Sequence, residues 1–148
     1  MKILFLHGLE SSPNSYKVKM LEDAGHEVYA PSLPPNAWDR AVRIARMAVD
    51  GFKPDVVVGS SRGGAIAMVS AGTTPLILIA PAWKKYAPWA TVSGRTTIIH
   101  SPEDDVVKFN DSVDLAHAFG AMLVEAGEDH RMNDQEATTA ILDALTNA

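Results

Sequence analysis

The sequence contains no cysteine in its 148 residues, and that absence removes several chemistries together. No disulfide framework, thiolate-bound zinc or cysteine nucleophile is available, and thioredoxin-like redox exchange is excluded. Basic residues are also scarce: 13 Lys and Arg stand against 18 Asp and Glu, a formal charge of −5. Such a balance repels a phosphate backbone, so nucleic acid is not an expected partner. Long apolar runs are missing as well. No stretch approaches the roughly 20 residues that span a bilayer. The opening MKILFLHG breaks its apolar run at His7 and Gly8, short of the roughly 7–15 residues of a signal-peptide core. The expectation is a soluble, cytoplasmic chain with no membrane or targeting segment. Repeats and low-complexity tracts are absent too, which argues against a solenoid or a disordered chain.

What the sequence does have is a regular supply of short apolar runs. They are KILFL (2–6), EVYA (27–30), DVVVG (55–59), LILIA (76–80), TTIIH (96–100) and AMLVEA (121–126). Most are continuous rather than alternating, as expected of parallel strands covered on both faces. Helical segments lie between them. In SSPNSYKVKMLEDAG a serine precedes Pro13, a first-turn arrangement, and Gly25 is the expected stop. AWDRAVRIARMAVDG sets Ala41, Ile44, Ala45 and Ala48 on one stripe and should end at Gly51. Gly63 to Ala71, apolar all round, predicts a buried helix, and Asp111–Phe119 and Asp134–Leu145 complete the set. This alternation predicts one α/β domain over residues 1–148, with a six-stranded, mostly parallel sheet and helices on both faces. Ligands of such sheets bind at the carboxyl ends of the strands.

One of those ends reads DVVVGSSRGG. A nucleophile elbow is a strained strand-to-helix turn with the signature GxSxG, because only small residues fit two positions either side of the serine. Centred on Ser61, those positions are Gly59 and Gly63; centred on Ser60, they would be Val58 and Arg62. The spacing selects Ser61. A serine hydroxyl needs a base, itself oriented by a third group. His26 enters the second strand from the far end, and His117 falls within a helix. His7 and His100 close strands at the correct end but lack a loop's freedom. His130, in EAGEDHRM after the last strand, has that freedom and is the expected base. The acid is sought between serine and histidine in chain order, and the cluster Glu103, Asp104 and Asp105 meets that condition without distinguishing among its members.

Taken together, FLHGLESSP, GSSRGG and HSPEDDVV make the chain resemble a small, lidless serine esterase of the α/β-hydrolase superfamily, similar to its YqiA-like and RBBP9-like groups. The resemblance runs from residue 6 to residue 130. It implies a Ser61–His130–Asp104 triad, the acid being the residue four places after His100. It also implies an oxyanion hole from the backbone N–H groups of Leu9 and Arg62, and no metal or organic cofactor. Ser101 stands where the family has glycine, which leaves Asp105 or Glu103 as alternative acids. Larger relatives carry a cap after the strand that follows the nucleophile helix; Pro81 to Arg95 is too short for one. Within it Trp83, Tyr86 and Trp89 are candidates to line a substrate pocket, and Lys84 and Lys85 with the Arg62 side chain are candidates to favour an acidic group. The expected substrate is a small, short-chain ester. Thioester, amide or peptide cleavage, or a binding role on the same fold, are the alternatives.

Overall fold

The computed structural model describes residues 1–9, 12–93 and 95–148. Its strands are β1 (Lys2–Leu6), β2 (Glu27–Tyr29), β3 (Val56–Ser60), β4 (Leu76–Ile79), β5 (Thr96–His100) and β6 (Met122–Glu125). They form one sheet in the order β2-β1-β3-β4-β5-β6, every pair parallel. The helices are α1 (Tyr16–Asp23), α2 (Trp38–Phe52), α3 (Arg62–Ser70), the short α4 (Trp83–Tyr86), α5 (Phe109–Phe119) and α6 (Gln135–Thr146).

Alternate strand side chains enter two separate cores, which is why the strands read as unbroken apolar runs. Leu4, Leu6, Val57, Leu78 and Ile98 pack on one face with Ala41 and Ala45 of α2, Ile66 of α3 and Leu115 of α5. Ile3, Phe5, Val58, Ile79 and Ile99 pack on the other with Val18 and Leu21 of α1 and Ile141 of α6. The chain leaves β1 outward to β2 and returns to β3 on the opposite side, so the strand order reverses between β1 and β3. That reversal opens a crevice beyond their carboxyl ends.

Most helix ends fall within two residues of the sequence expectation, but three differences have a clear physical reason. The helix expected to open at Ser12 and Pro13 begins only at Tyr16, with Ser15 as its N-cap. The Asn14 N–H instead turns back to Ser12 Oγ (3.2 Å), a local bond that competes with helix. Helix α2 passes through Gly51 because Phe52 still packs on the core and against Tyr29; Lys53, at φ 53°, makes the left-handed stop. Helix α4 was not expected at all, and four residues give periodicity nothing to show.

Candidate active site

The β3–α3 junction explains its own composition. Ser61 sits at φ 56°, ψ −118°, a strained conformation for a residue with a side chain. Its N–H donates to Ile79 O (2.9 Å), and its carbonyl accepts from Gly64 N (3.0 Å) and Ala82 N (3.0 Å), so three neighbours hold the strain in place. A methyl group on Gly63 would lie 2.0 Å from Leu6 O, and one on Gly59 would lie 2.5 Å from Gly63 O. Both contacts are with backbone, so neither position accepts a side chain. The two glycines are what allow α3 to start directly behind the serine.

The loop after β6 brings His130 over this turn. Gly127 N–H donates to Glu136 Oε1 (2.9 Å), Glu128 N–H to Asp134 Oδ1 (3.0 Å) and Arg131 N–H to Asp129 Oδ1 (3.0 Å). From α1, the Lys17 ammonium donates to Arg131 O and, at 3.0 Å, to Asn133 Oδ1. So anchored, His130 Nε2 lies 3.0 Å from Ser61 Oγ, and its Nδ1–H donates to Asp104 Oδ2 (2.6 Å). Of the acidic cluster only Asp104 turns inward; Glu103 and Asp105 are exposed. Burial alone would raise the Asp104 carboxyl, but the His130 hydrogen bond and the Val107 and Val106 N–H groups outweigh it and hold it below its ordinary value. It is therefore an anion at neutral pH. Ser101 stands at the position where the resembling family has glycine. Its hydroxyl donates to Gly127 O (2.8 Å) and accepts from Glu103 N–H (3.0 Å), tying the acid's loop to the histidine's.

A serine on a tight βα turn, a loop histidine after the last strand and an acid after the strand before it, all at the carboxyl edge of this sheet, decide the fold family. The chain has the α/β-hydrolase fold. Solved structures agree. A protein assigned to the hydrolases of the alpha/beta superfamily, from Xanthomonas campestris pv. campestris, is 26% identical with a TM-score of 0.75, covering 99% of each chain. Est1E from Butyrivibrio proteoclasticus, solved with ferulic acid bound, is 14% identical with a TM-score of 0.80 over 99% of this chain and 88% of its own. An esterase domain from a Rhodothermus marinus protein is 19% identical with a TM-score of 0.71 over 99% and 84%. No family model and no curated protein matches the chain.

The turn after β1 closes the other side of the crevice beside Ser61. Gly8 lies against Ser61: a methyl group there would stand 3.4 Å from Ser61 Cβ. His7 fixes the peptide that follows it. The Leu33 N–H donates to His7 Nε2 (3.0 Å), so Nδ1 carries the proton and gives it to Gly8 O (2.7 Å). That carbonyl shares a peptide unit with the Leu9 N–H, which is thereby aimed the opposite way. Glu10 and Ser11 of the same motif lie outside the described residues. The Arg62 N–H opens α3 and has no carbonyl partner within the helix.

The remaining expected residues are more dispersed. The Arg62 side chain is buried. Its Nη2 donates to Pro34 O (3.0 Å), and the guanidinium stands 5.8 Å from the rings of both Trp38 and Tyr86, which stack on each other. It braces the loop before α2 instead of facing solvent. Trp83 commits its indole N–H to Asp111 O (2.9 Å), and Lys84 pairs with Asp114 (2.6 Å) and Asp111 (3.4 Å) of α5. Trp89 is exposed and lines, with Trp38, Arg43 and Arg46, an open cleft of about 420 Å³. A larger groove of about 740 Å³ follows α6 along β5 and β6 and includes none of Ser61, Asp104 and His130. The sequence offers His7 and His100 only as candidate bases and Ser101 only as a departure from the family, and it does not single out Lys17. The available signals were His7 beside Gly8, His100 four residues before Asp104, and a lysine on the buried stripe of α1.

Proposed function

We propose that the chain is a serine hydrolase that cleaves small carboxylic esters through an acyl-enzyme. The observation that carries this reading is the 3.0 Å approach of His130 Nε2 to Ser61 Oγ on a strained turn, with Asp104 behind the imidazole. Ser61 Oγ attacks the ester carbonyl while its proton passes to His130 Nε2. The imidazolium, paired with the Asp104 carboxylate, returns that proton to the departing alkoxide. Water then attacks the acyl-serine by the same route in reverse, releasing the acid. The Leu9 and Arg62 N–H groups receive the oxyanion in both steps, a contribution of about 3 kcal/mol per donor in comparable enzymes.

Small substrates are favoured because, among the described residues of 81–95, the four-residue α4 is the only helix or strand between β4 and β5, too little to enclose a long acyl chain. That Est1E binds ferulic acid is consistent with a compact acyl group. The test is hydrolysis of nitrophenyl esters, with labelling by a fluorophosphonate. Wild type should gain one adduct on Ser61, and Ser61→Ala should lose both the adduct and about 10⁶-fold in kcat. Rates should fall from acetate to long-chain esters. An intact, folded wild type that takes no label would instead indicate a binding role, and a preference for long acyl chains would refute the substrate class.

A further inference from the structure

We infer that His100 is a positioning residue for the acid: it holds Asp104 Oδ2, the oxygen that also receives His130, and so sets the strength of the His130–Asp104 bond. The inference rests on the hydrolase reading above and extends it by one residue. His100 ends β5 and is fully buried, with no route to substrate. Its Nε2 lies 2.9 Å from Asp104 Oδ2 and 3.1 Å from Val107 O. Both are acceptors, so Nε2 must carry the proton. Nδ1 must then accept, and it does so from the Ser112 hydroxyl at 2.7 Å. Ser112 is itself buried on α5, and Phe109 of the same helix meets the imidazole edge to face (5.6 Å). The ring can neither turn nor exchange tautomers without breaking one of these bonds.

The carboxylate is therefore saturated. Oδ1 accepts Val106 N–H and Val107 N–H (both 2.8 Å), and Oδ2 accepts two imidazoles. Two donors on one oxygen share its charge, so the His100 N–H weakens the hold of Oδ2 on the His130 imidazolium while fixing the direction from which that hold acts. The charged or titratable groups around His100 are Asp104, His130 and, across the β5–β6 register, the exposed Glu125. Desolvation lowers the proton affinity of His100 below the ordinary histidine value despite the adjacent carboxylate, which agrees with a neutral ring acting only as donor.

The experiment compares wild type with His100→Ala, His100→Gln and Ser112→Ala. Two readouts are followed: the pH profile of nitrophenyl acetate hydrolysis, and the downfield proton resonance of the His130 Nδ1–H. In His100→Ala, kcat should fall about 10- to 100-fold with KM unchanged, as for other partners that orient an active-site imidazole. The acidic limb of kcat/KM should move up by about 0.3–1 pH unit, and the downfield resonance should shift or broaden. His100→Gln, whose amide can replace the Nε2 donor, should restore most of the rate and the position of the limb. Should His100→Ala fail to fold, Ser112→Ala decides, with a smaller displacement of limb and resonance in the same direction. The inference is overturned if the folded variants keep the wild-type limb and resonance, or if His100→Gln falls as far as His100→Ala with the limb unmoved. If wild type proves inactive and unlabelled, it is the hydrolase reading that has failed. The resonance, which needs no turnover, then decides the role of His100 alone.

Discussion

At the scale of single residues, the site depends on atoms that are missing as much as on those present. The carbonyl of Leu6 occupies the space where a Gly63 side chain would go. Backbone at 2.0 Å cannot rotate aside, so Gly63→Ala must push α3 away from β1 and carry Ser61 with it. Gly8 faces the same serine, but a methyl group there would meet its neighbours at 3.4 Å, a tight contact that small shifts relieve. We therefore expect Gly63→Ala to lose about 3 kcal/mol or more of stability together with nearly all fluorophosphonate labelling, and Gly8→Ala to lose less than about 1 kcal/mol. Urea unfolding of both variants checks this, and equal losses would remove the steric account. The same scale shows where sequence reading stopped. Ser61 was legible because its neighbours had to be small. Asp104 was not separable from Glu103 and Asp105 on chemistry alone, since what distinguishes it is the pair of N–H groups that turn it inward. The Arg62 side chain was illegible because its partner, the Trp38–Tyr86 stack, comes from two elements distant in sequence.

At the scale of elements, the His130 loop shows how a mobile kind of segment is made to hold an imidazole in one place. Its rigidity is borrowed from α1 and α6, and the α1 contribution is one buried lysine. Burial lowers Lys17 from 10.5 to about 8, the nearby Asp129 offsetting only part of the shift. Between those values the unfolded chain binds the proton and the folded chain has released it, so stability rises with pH across that window. Below about pH 8 both states are charged and the cost of burying the ammonium is borne in full. Wild type should accordingly gain on the order of 3 kcal/mol relative to Lys17→Met between pH 8 and 10.5. The neutral amine keeps its two acceptors throughout. In the variant the Arg131 carbonyl beside His130 is left unpaired, and kcat/KM should fall about 10- to 100-fold from the loosened base. Urea midpoints of both proteins at pH 7 and pH 10 measure the first effect; a difference that does not change with pH would refute it.

At the scale of the molecule, the order of elements and the location of the site were legible because they follow from burial on two faces and from the strand ends. The contacts that tie loop to loop were not, because Ser101, His7 and His100 look like ordinary strand-end residues until the sheet places them beside their partners. Those contacts also couple the site to the stability of the whole chain. Asp104 has a folded value below 3.8, so its contribution is complete above that value and is lost as pH falls through the folded value. His100 has a folded value below 6.5; the unfolded chain takes up its proton first, and stability declines as pH falls from 6.5. Acid should thus weaken the protein in two stages, the first through His100 together with His26, whose folded value is also lowered, and the second through Asp104 together with Asp134. Thermal midpoints from pH 7.5 to 3 should show a His100→Gln variant with a smaller upper stage. The gap between wild type and Asp104→Asn should stay constant down to about pH 4 and close below it. A gap of constant size from pH 6 to pH 3 would mean that the Asp104 carboxylate contributes nothing to folding through its charge, neither through His130 nor through the Val106 and Val107 amides.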